Sequence, residues 1–241
     1  MKPIKEGFAI ITIRKAEERG HVDHGWLDTW HTFSFSSYFD PAHMGFGPLR
    51  VINDDIVRAG QGFGMHGHRD MEIITYIIDG TLAHKDSVGS AARISAGEVQ
   101  RMAAGTGIRH SEFNPDDGRD VHLLQIWIEP SETGVKPEYE EKMISRGEKL
   151  GRLKLIASPD ARDGSMRIHQ DAFVLATVLE PGMEVSRPLA PGRSAWVHIA
   201  AGNAVVNGLE ARAGDGFAFT DEKSVTLKSA DTAEILLFDL P

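Results

Sequence analysis

Apolar residues in this chain come in short runs. Examples are FAIITI (8–13), LRVIN (49–53), MEIITYII (71–78), HLLQIWIEP (122–130), SAWVHIA (194–200), NAVVNG (203–208) and AEILLFDLP (233–241). Runs of this length, rich in Ile, Val and aromatic residues and bounded by Gly, Pro, Asn or Asp, predict β-strands. Their close spacing predicts an all-β sandwich or barrel. Helical periodicity is weak. Its best candidate is the polar stretch KPEYEEKMISRGEKL (136–150), which belongs to a connection and not to a core.

That charged connection, residues 131–150, follows a strand ending at Pro130 and divides the chain into 1–130 and 151–241. The two parts share a pattern. DGTLAH (79–84) and ISAGEV (94–99) in the first correspond to AGNAVV (201–206) and ARAGDG (211–216) in the second. Each reads as strand, turn, strand, then an Ala-Gly-acidic turn into a third strand. Two β domains related by duplication are expected.

Composition narrows the function classes. With 241 residues, 41% hydrophobic and 25% charged, the chain has an ordinary globular composition and length enough for a sizeable core. A net charge of −9, with no Lys/Arg cluster, argues against direct nucleic-acid binding. Cysteine is absent, which excludes disulfides, thiolate nucleophiles and Cys-ligated metals. No run of ~18 apolar residues is present to span a membrane, and the N-terminal segment has no cleavage-like site. A cytoplasmic monomer is expected.

The chemistry concentrates in GQGFGMHGHRDME (60–72). Alternate residues of a strand share a face, so His66 and His68 point the same way with Cα atoms ~6–7 Å apart. In GTGIRHSEFN (105–114), His110 and Glu112 repeat the spacing. If the two strands face each other across a barrel, they supply three imidazoles and a carboxylate to one divalent ion. Such a set suits Fe(II), Mn, Ni, Co, Cu(II) or Zn alike, and leaves open positions on a six-coordinate metal. Glu72 is a rival for the carboxylate, but it lies ~13 Å along the strand from His68 and needs a bend to reach. Glu72 and Asn114 are instead candidates to orient the imidazoles. The structural alternative is two surface histidine pairs in loops.

These residues resemble the cupin motifs. Gly60, His66, His68, Glu72 and Gly80 are similar to the first motif, and Gly97, Gly105, His110 and Asn114 to the second. Ala103 stands where proline is common, and His110 sits two residues late. Those departures, with RGHVDHGWLDTWHTFSFSSYFDP (19–41), LRVINDD (49–55), AAGTGIRHSEFNP (103–115), HLLQIWI (122–128) and SPDARDGS (158–165), resemble the pirin branch. The resemblance implies a bicupin of two β-barrel domains, with His66, His68, His110 and Glu112 holding iron in the first. It also implies a quercetin 2,3-dioxygenase type of activity, in which O2 opens the central ring of a flavonol and carbon monoxide is released. A small phenolic substrate is then the partner. The alternative is an iron-dependent redox-sensing regulator that contacts a protein partner without turnover. A third possibility is another small-molecule cupin enzyme, such as an isomerase.

The second domain lacks the chemistry. EPGMEVSRPL (180–189), aligned with the first motif, has no H-x-H, and His169 and His198 are isolated. It is expected to pack against or cover the first domain. Glu112 is the candidate to take a proton from the substrate, and Phe46, Phe63 and Met65 are candidates to stack on a planar ligand. His21, His24 and His31, near Trp26, Trp30, Phe33 and Phe35, have spacings that match no strand face, so hydrogen-bonding and packing roles beneath the barrel are expected. The same is expected of His84 and His122. Ser34, Ser36 and Ser37 lack a nucleophile elbow, and the GTG at 105–107 is too short for a dinucleotide fingerprint.

Overall fold

The computed structural model describes residues 10–229 and 231–241. The FAIITI run begins outside them and continues as the strand Ile10–Arg14. Among the described residues twenty-two strands form four sheets, so the fold is all-β as the run lengths predict. The first half has a seven-stranded sheet in the order β12 (Glu138–Met143), β9 (Glu98–Ala103), β6 (Glu72–Asp79), β11 (Val121–Ile128), β4 (Leu49–Val57), β3 (Leu27–His31), β2 (Gly20–Asp23). Its companion is a four-stranded sheet, β5 (Gly62–His68), β10 (Ile108–Phe113), β7 (Thr81–Asp86), β8 (Ala91–Ser95).

The second half repeats the plan. Its large sheet runs β1 (Ile10–Arg14), β20 (Gly216–Thr220), β17 (Ser194–Ala201), β22 (Ala233–Leu240), β15 (Phe173–Leu179), β13 (Lys154–Ser158), β14 (Met166–Arg167). Its small sheet runs β16 (Glu184–Pro188), β21 (Ser224–Lys228), β18 (Asn203–Val206), β19 (Leu209–Arg212). Strand for strand the two orders correspond, which makes the repeated turn motifs of the sequence part of one duplicated topology. Each half is a single jelly roll of two facing sheets, not a barrel closed by a continuous ladder, and the two together give the expected bicupin.

Alternation along the strands explains the layers. On β6 and β11, Ile74, Tyr76, Leu124, Ile126 and Ile128 face the second half, where they meet Ile156, Val174, Trp196, Leu236 and Phe238 in one buried cluster. The opposite face of the same sheet sends Leu27, Val57, Ile77, Val121 and Leu123 against Leu82 and Ile94 of the small sheet. The large sheet is thus buried on both faces, so its central strands read as continuous apolar runs and not as a clean alternation.

The expected helix over 136–150 is not formed. Glu138–Met143 is instead an edge strand paired antiparallel with β9, and only Arg146–Lys149 is α-helical, as the short helix α1. The counterpart of β12 in the second half's sheet is β1, which crosses from the start of the described chain to pair with β20. Charged, half-exposed residues suit an unpaired sheet edge, where they discourage association with other strands. No helix of the described residues is long and apolar enough to cross a membrane.

Candidate metal centre

The two histidine-bearing strands are neighbours in the small sheet and do not face each other across a barrel. β5 pairs antiparallel with β10, and His66 lies directly opposite His110. The register shifts between His110 and Glu112, so Glu112 is opposite Phe63. This β-bulge re-aims the carboxylate. Close approach at the bulge requires a glycine: a Cβ on Gly62 would lie 2.2 Å from the Glu112 carbonyl oxygen.

Pairing brings three imidazoles together. Ring centroids are 4.4 Å apart for His66 and His110, 4.8 Å for His66 and His68, and 4.9 Å for His68 and His110. Ligand atoms of all three lie within 4.8 Å of one another. Glu112 falls in a second, overlapping group with His110 and His84. Hydrogen bonds set which nitrogens are free. The His66 Nδ1–H donates to the Gly64 carbonyl at 2.8 Å, leaving Nε2 as a lone pair. His84 Nε2–H donates to Asp86 Oδ2 at 3.1 Å, which leaves His84 Nδ1 to accept from His110 Nδ1–H at 3.5 Å. The buried His110 Nε2 is then a lone pair without a hydrogen-bond partner. Burial, and next the neighbouring His66, push His68 down to about 4 and His110 to about 3. Neutral imidazoles with unpaired nitrogens are what a transition metal needs.

Glu112 is 2% exposed, and burial pushes its carboxyl up to about 7 against the bonds it accepts. The Thr75 hydroxyl donates to Gln125 Oε1 at 2.8 Å, which turns the Gln125 amide nitrogen toward Glu112 Oε2 at 3.0 Å. A cation beside this carboxylate would offset the cost of burying its charge. The donor set therefore fits a divalent metal.

The cluster opens on a pocket of about 500 Å³, within the usual range for small-molecule sites. Trp26, Phe35, Phe63 and Trp127 supply aromatic walls. Trp26 meets Phe63 edge-on at 5.1 Å, Phe35 meets Trp127 at 5.3 Å, and Trp127 meets His68 at 4.9 Å. Polar lining comes from the inward face of the large sheet, where His31, Asn53 and Gln125 line the pocket and continue into the buried Thr75 as one cross-strand row. Asp55 is on the same face; burial lifts its carboxyl to about 7 against the pull of the Thr29 hydroxyl beside it, with the charges of Asp54 and Glu112 adding to the rise.

Several expected roles change. Glu72 orients no imidazole of the cluster. Its Oε1 accepts from His169 Nδ1 at 2.7 Å, and Arg101 Nε lies 3.3 Å from its Oε2, so it ties the two halves together. Asn114 organises a loop, donating to the carbonyls of Val57 and Arg119 and accepting from the Asp116 amide. Phe63 lines the pocket, but Phe46 packs on Trp196 at the interface of the halves, and Met65 is 48% exposed outside the pocket lining. Two of the N-terminal histidines, His24 and His31, line the pocket with Trp26, Phe35, Ser36 and Ser37 instead of lying beneath the barrel. His21 and His122 bond to Asp28 and Asp54 as expected of hydrogen-bonding histidines. Sequence reasoning missed Thr75, Gln125, Asn53 and Asp55. Their signal was a polar residue interrupting an apolar strand.

The family described as Pirin matches residues 12–128, and the Quercetinase C-terminal cupin domain matches residues 155–240. Quercetin 2,3-dioxygenase of Escherichia coli (strain K12) is 49% identical over 232 residues, covering 96% of this chain and 99% of the relative. A pirin-like protein of Caulobacter vibrioides is 41% identical, covering 95% of this chain and 99% of its own. Among solved structures, the bacterial pirin YhhW from Escherichia coli in complex with nickel(II) has a TM-score of 0.92 and 49% identity, with 96% of this chain and 99% of that one covered. With both halves matched and the histidine cluster in place, the chain belongs to the pirin family.

Proposed function

We propose that the protein is a metal-dependent dioxygenase that opens the ring of a flavonol such as quercetin with O2. The observation that carries this reading is the meeting of three free imidazole nitrogens beside a buried carboxylate, on the wall of an aromatic-lined pocket. The names of relatives at about half identity support it, and no feature described above favours the regulatory alternative. The proposed ligands are His66, His68, His110 and Glu112. Fe(II) is the proposed metal, and the nickel(II) complex of the Escherichia coli pirin makes nickel the first alternative to test. The bound metal would supply Lewis acidity toward a substrate hydroxyl and an open coordination position.

The chain's own residues supply the rest. Trp26, Phe35, Phe63 and Trp127 give a planar polyphenol faces and edges to pack on and keep bulk water from the reacting ring. Glu112, steadied by Gln125, takes the proton of the substrate hydroxyl at its carboxylate. To test the reading, protein loaded separately with Fe(II), Ni(II), Mn(II), Co(II), Cu(II) or Zn(II) is incubated with quercetin under oxygen. Ring-opened product and carbon monoxide are expected with at least one metal and are expected to be lost in His66→Ala. No product with any metal, or undiminished turnover in the variant, refutes it.

A further inference from the structure

The large-sheet wall of the pocket carries a polar pair away from the metal ligands. His31 on β3 and Asn53 on β4 are cross-strand partners, and both line the cavity. His31 Nδ1 and Asn53 Oδ1 are 2.8 Å apart, which joins the two side chains into one unit. That contact is the only side-chain hydrogen bond either residue makes among the described residues. His31 Nε2 and Asn53 Nδ2 are therefore left over. Both keep accessible surface, whereas Thr29 Oγ1 and Asp55 Oδ1 on the same wall are sealed. The surface open to the leftover atoms is the cavity. Burial pushes His31 below the usual histidine value, so the ring is neutral and carries a single N–H. If Nδ1–H donates to Asn53, Nε2 is left as an acceptor beside an amide donor. If the amide is turned and donates to Nδ1, Nε2–H is left as a donor beside an amide acceptor. In both arrangements the pair shows the cavity one donor and one acceptor.

Register sets where the pair lies. Gln125, whose amide holds Glu112, is opposite Asn53, and Asn53 is opposite His31. Neighbouring strands are ~4.8 Å apart, so Asn53 and His31 stand one and two strands away from Gln125, at roughly 5 and 10 Å. The cavity thus has two polar poles, the metal ligands with Glu112 at one and the His31–Asn53 pair at the other, with Trp26, Phe35 and Trp127 among its apolar walls. A ligand that answers both poles is flat, apolar along its middle and hydroxylated at both ends, since a hydroxyl both donates and accepts. We propose that His31 and Asn53 are specificity-determining residues that take the hydroxylated outer ring of the substrate, so that the pocket selects ligands of several rings with hydroxyls at both ends over single-ring phenols. The inference rests on the reading of this cavity as the substrate pocket and adds to it the reach of the substrate and the residues that read its far end.

Anaerobic binding, where no turnover occurs, is measured on the metal-loaded protein. Quercetin and analogues that keep the hydroxyl of the central ring but lack those of one outer ring or of the other are titrated against the parent, Asn53→Leu and His31→Phe. On the parent, loss of the hydroxyls of one outer ring is expected to weaken binding about tenfold, the size of two neutral hydrogen bonds, and loss of those of the other ring to change it less. Asn53→Leu and His31→Phe are each expected to weaken quercetin by up to that factor. The analogue already lacking the recognised hydroxyls is expected to bind parent and variants alike, because the cycle isolates the one contact. His31→Gln, which keeps a donor and an acceptor, is expected to retain part of the discrimination. Metal affinity in a chelator competition assay is expected to stay at the parent's value in each variant, which separates loss of this contact from damage to the centre. Equal affinity of the parent for quercetin and every analogue overturns the inference while leaving the pocket reading intact. So does an equal weakening of quercetin and all analogues in the variants. Failure of the parent to bind any of the flavonols overturns both.

Discussion

At the residue scale, the centre is organised by hydrogen bonds one step removed from the imidazoles. Asp86 has fixed its own place by accepting the amides of Val88 and Ser90, at 3.0 and 2.9 Å. It holds His84, and His84 in turn holds the Nδ1 side of His110. The ring of His84 is further clamped by Tyr139, stacked at 4.7 Å. Partners of this kind keep the ligand nitrogen unprotonated and aimed, and losing them typically costs 10–100-fold in metal affinity. Asp86→Asn and His84→Phe are therefore expected to weaken metal binding about tenfold or more in a chelator competition assay. Affinities equal to the parent's would show that His110 is oriented by packing alone.

At the element scale, β5 carries two glycines with opposite demands. Gly62 sits where the bulged partner strand comes closest, and an added Cβ would meet backbone at 2.2 Å, an atom that cannot swing away. The nearest atom to a Cβ on Gly67 is 3.7 Å off, an ordinary contact. Gly62→Ala is expected to cost at least about 2 kcal/mol in denaturant unfolding, from overpacking, and to displace Glu112. Gly67→Ala is expected to fold and bind metal as the parent does. Equal stabilities for the two variants would remove the bulge from the account. The same contrast explains what could be read in advance. His66, His68, His110 and Glu112 were legible because strand alternation is local, and two residues on one face need no knowledge of the fold. Thr75, Gln125 and Asn53 come from three strands far apart in sequence and meet only through register, which no single segment encodes. The edge strand β12 was hidden for another reason. Its charged residues answer to solvent at a sheet edge, and that composition also suits a polar helix.

At the scale of the whole molecule, the two large sheets pack back to back, and buried polar contacts cross between the halves. Glu72 joins Arg101 to His169, and Lys149 joins Tyr76 to Glu234. Arg101 and Glu72 are each 1% exposed, and breaking a buried pair from one side costs about 3 kcal/mol or more. Arg101→Met is thus expected to lower stability by that order while leaving metal affinity unchanged; a loss of metal affinity would return Glu72 to the centre. A second buried group gives the interface a pH dependence. His198, on β17, is fully buried, and neither ring nitrogen has a hydrogen-bond partner among the described residues. Burial, and then the nearby Arg19, push it down from 6.5 to about 3, with Asp54 and Asp215 opposing. Because the folded value lies below the unfolded one, the neutral ring's contribution is intact above pH 6.5. It is lost as pH falls from there toward 3, since the unfolded chain takes up the proton first. His198→Leu removes that titration. Between pH 7.5 and pH 5, the parent is expected to lose about 2 kcal/mol more than the variant in urea unfolding, the linkage over about 1.5 pH units. Parallel losses in the two proteins would mean that His198 is protonated, or reached by water, in the folded state.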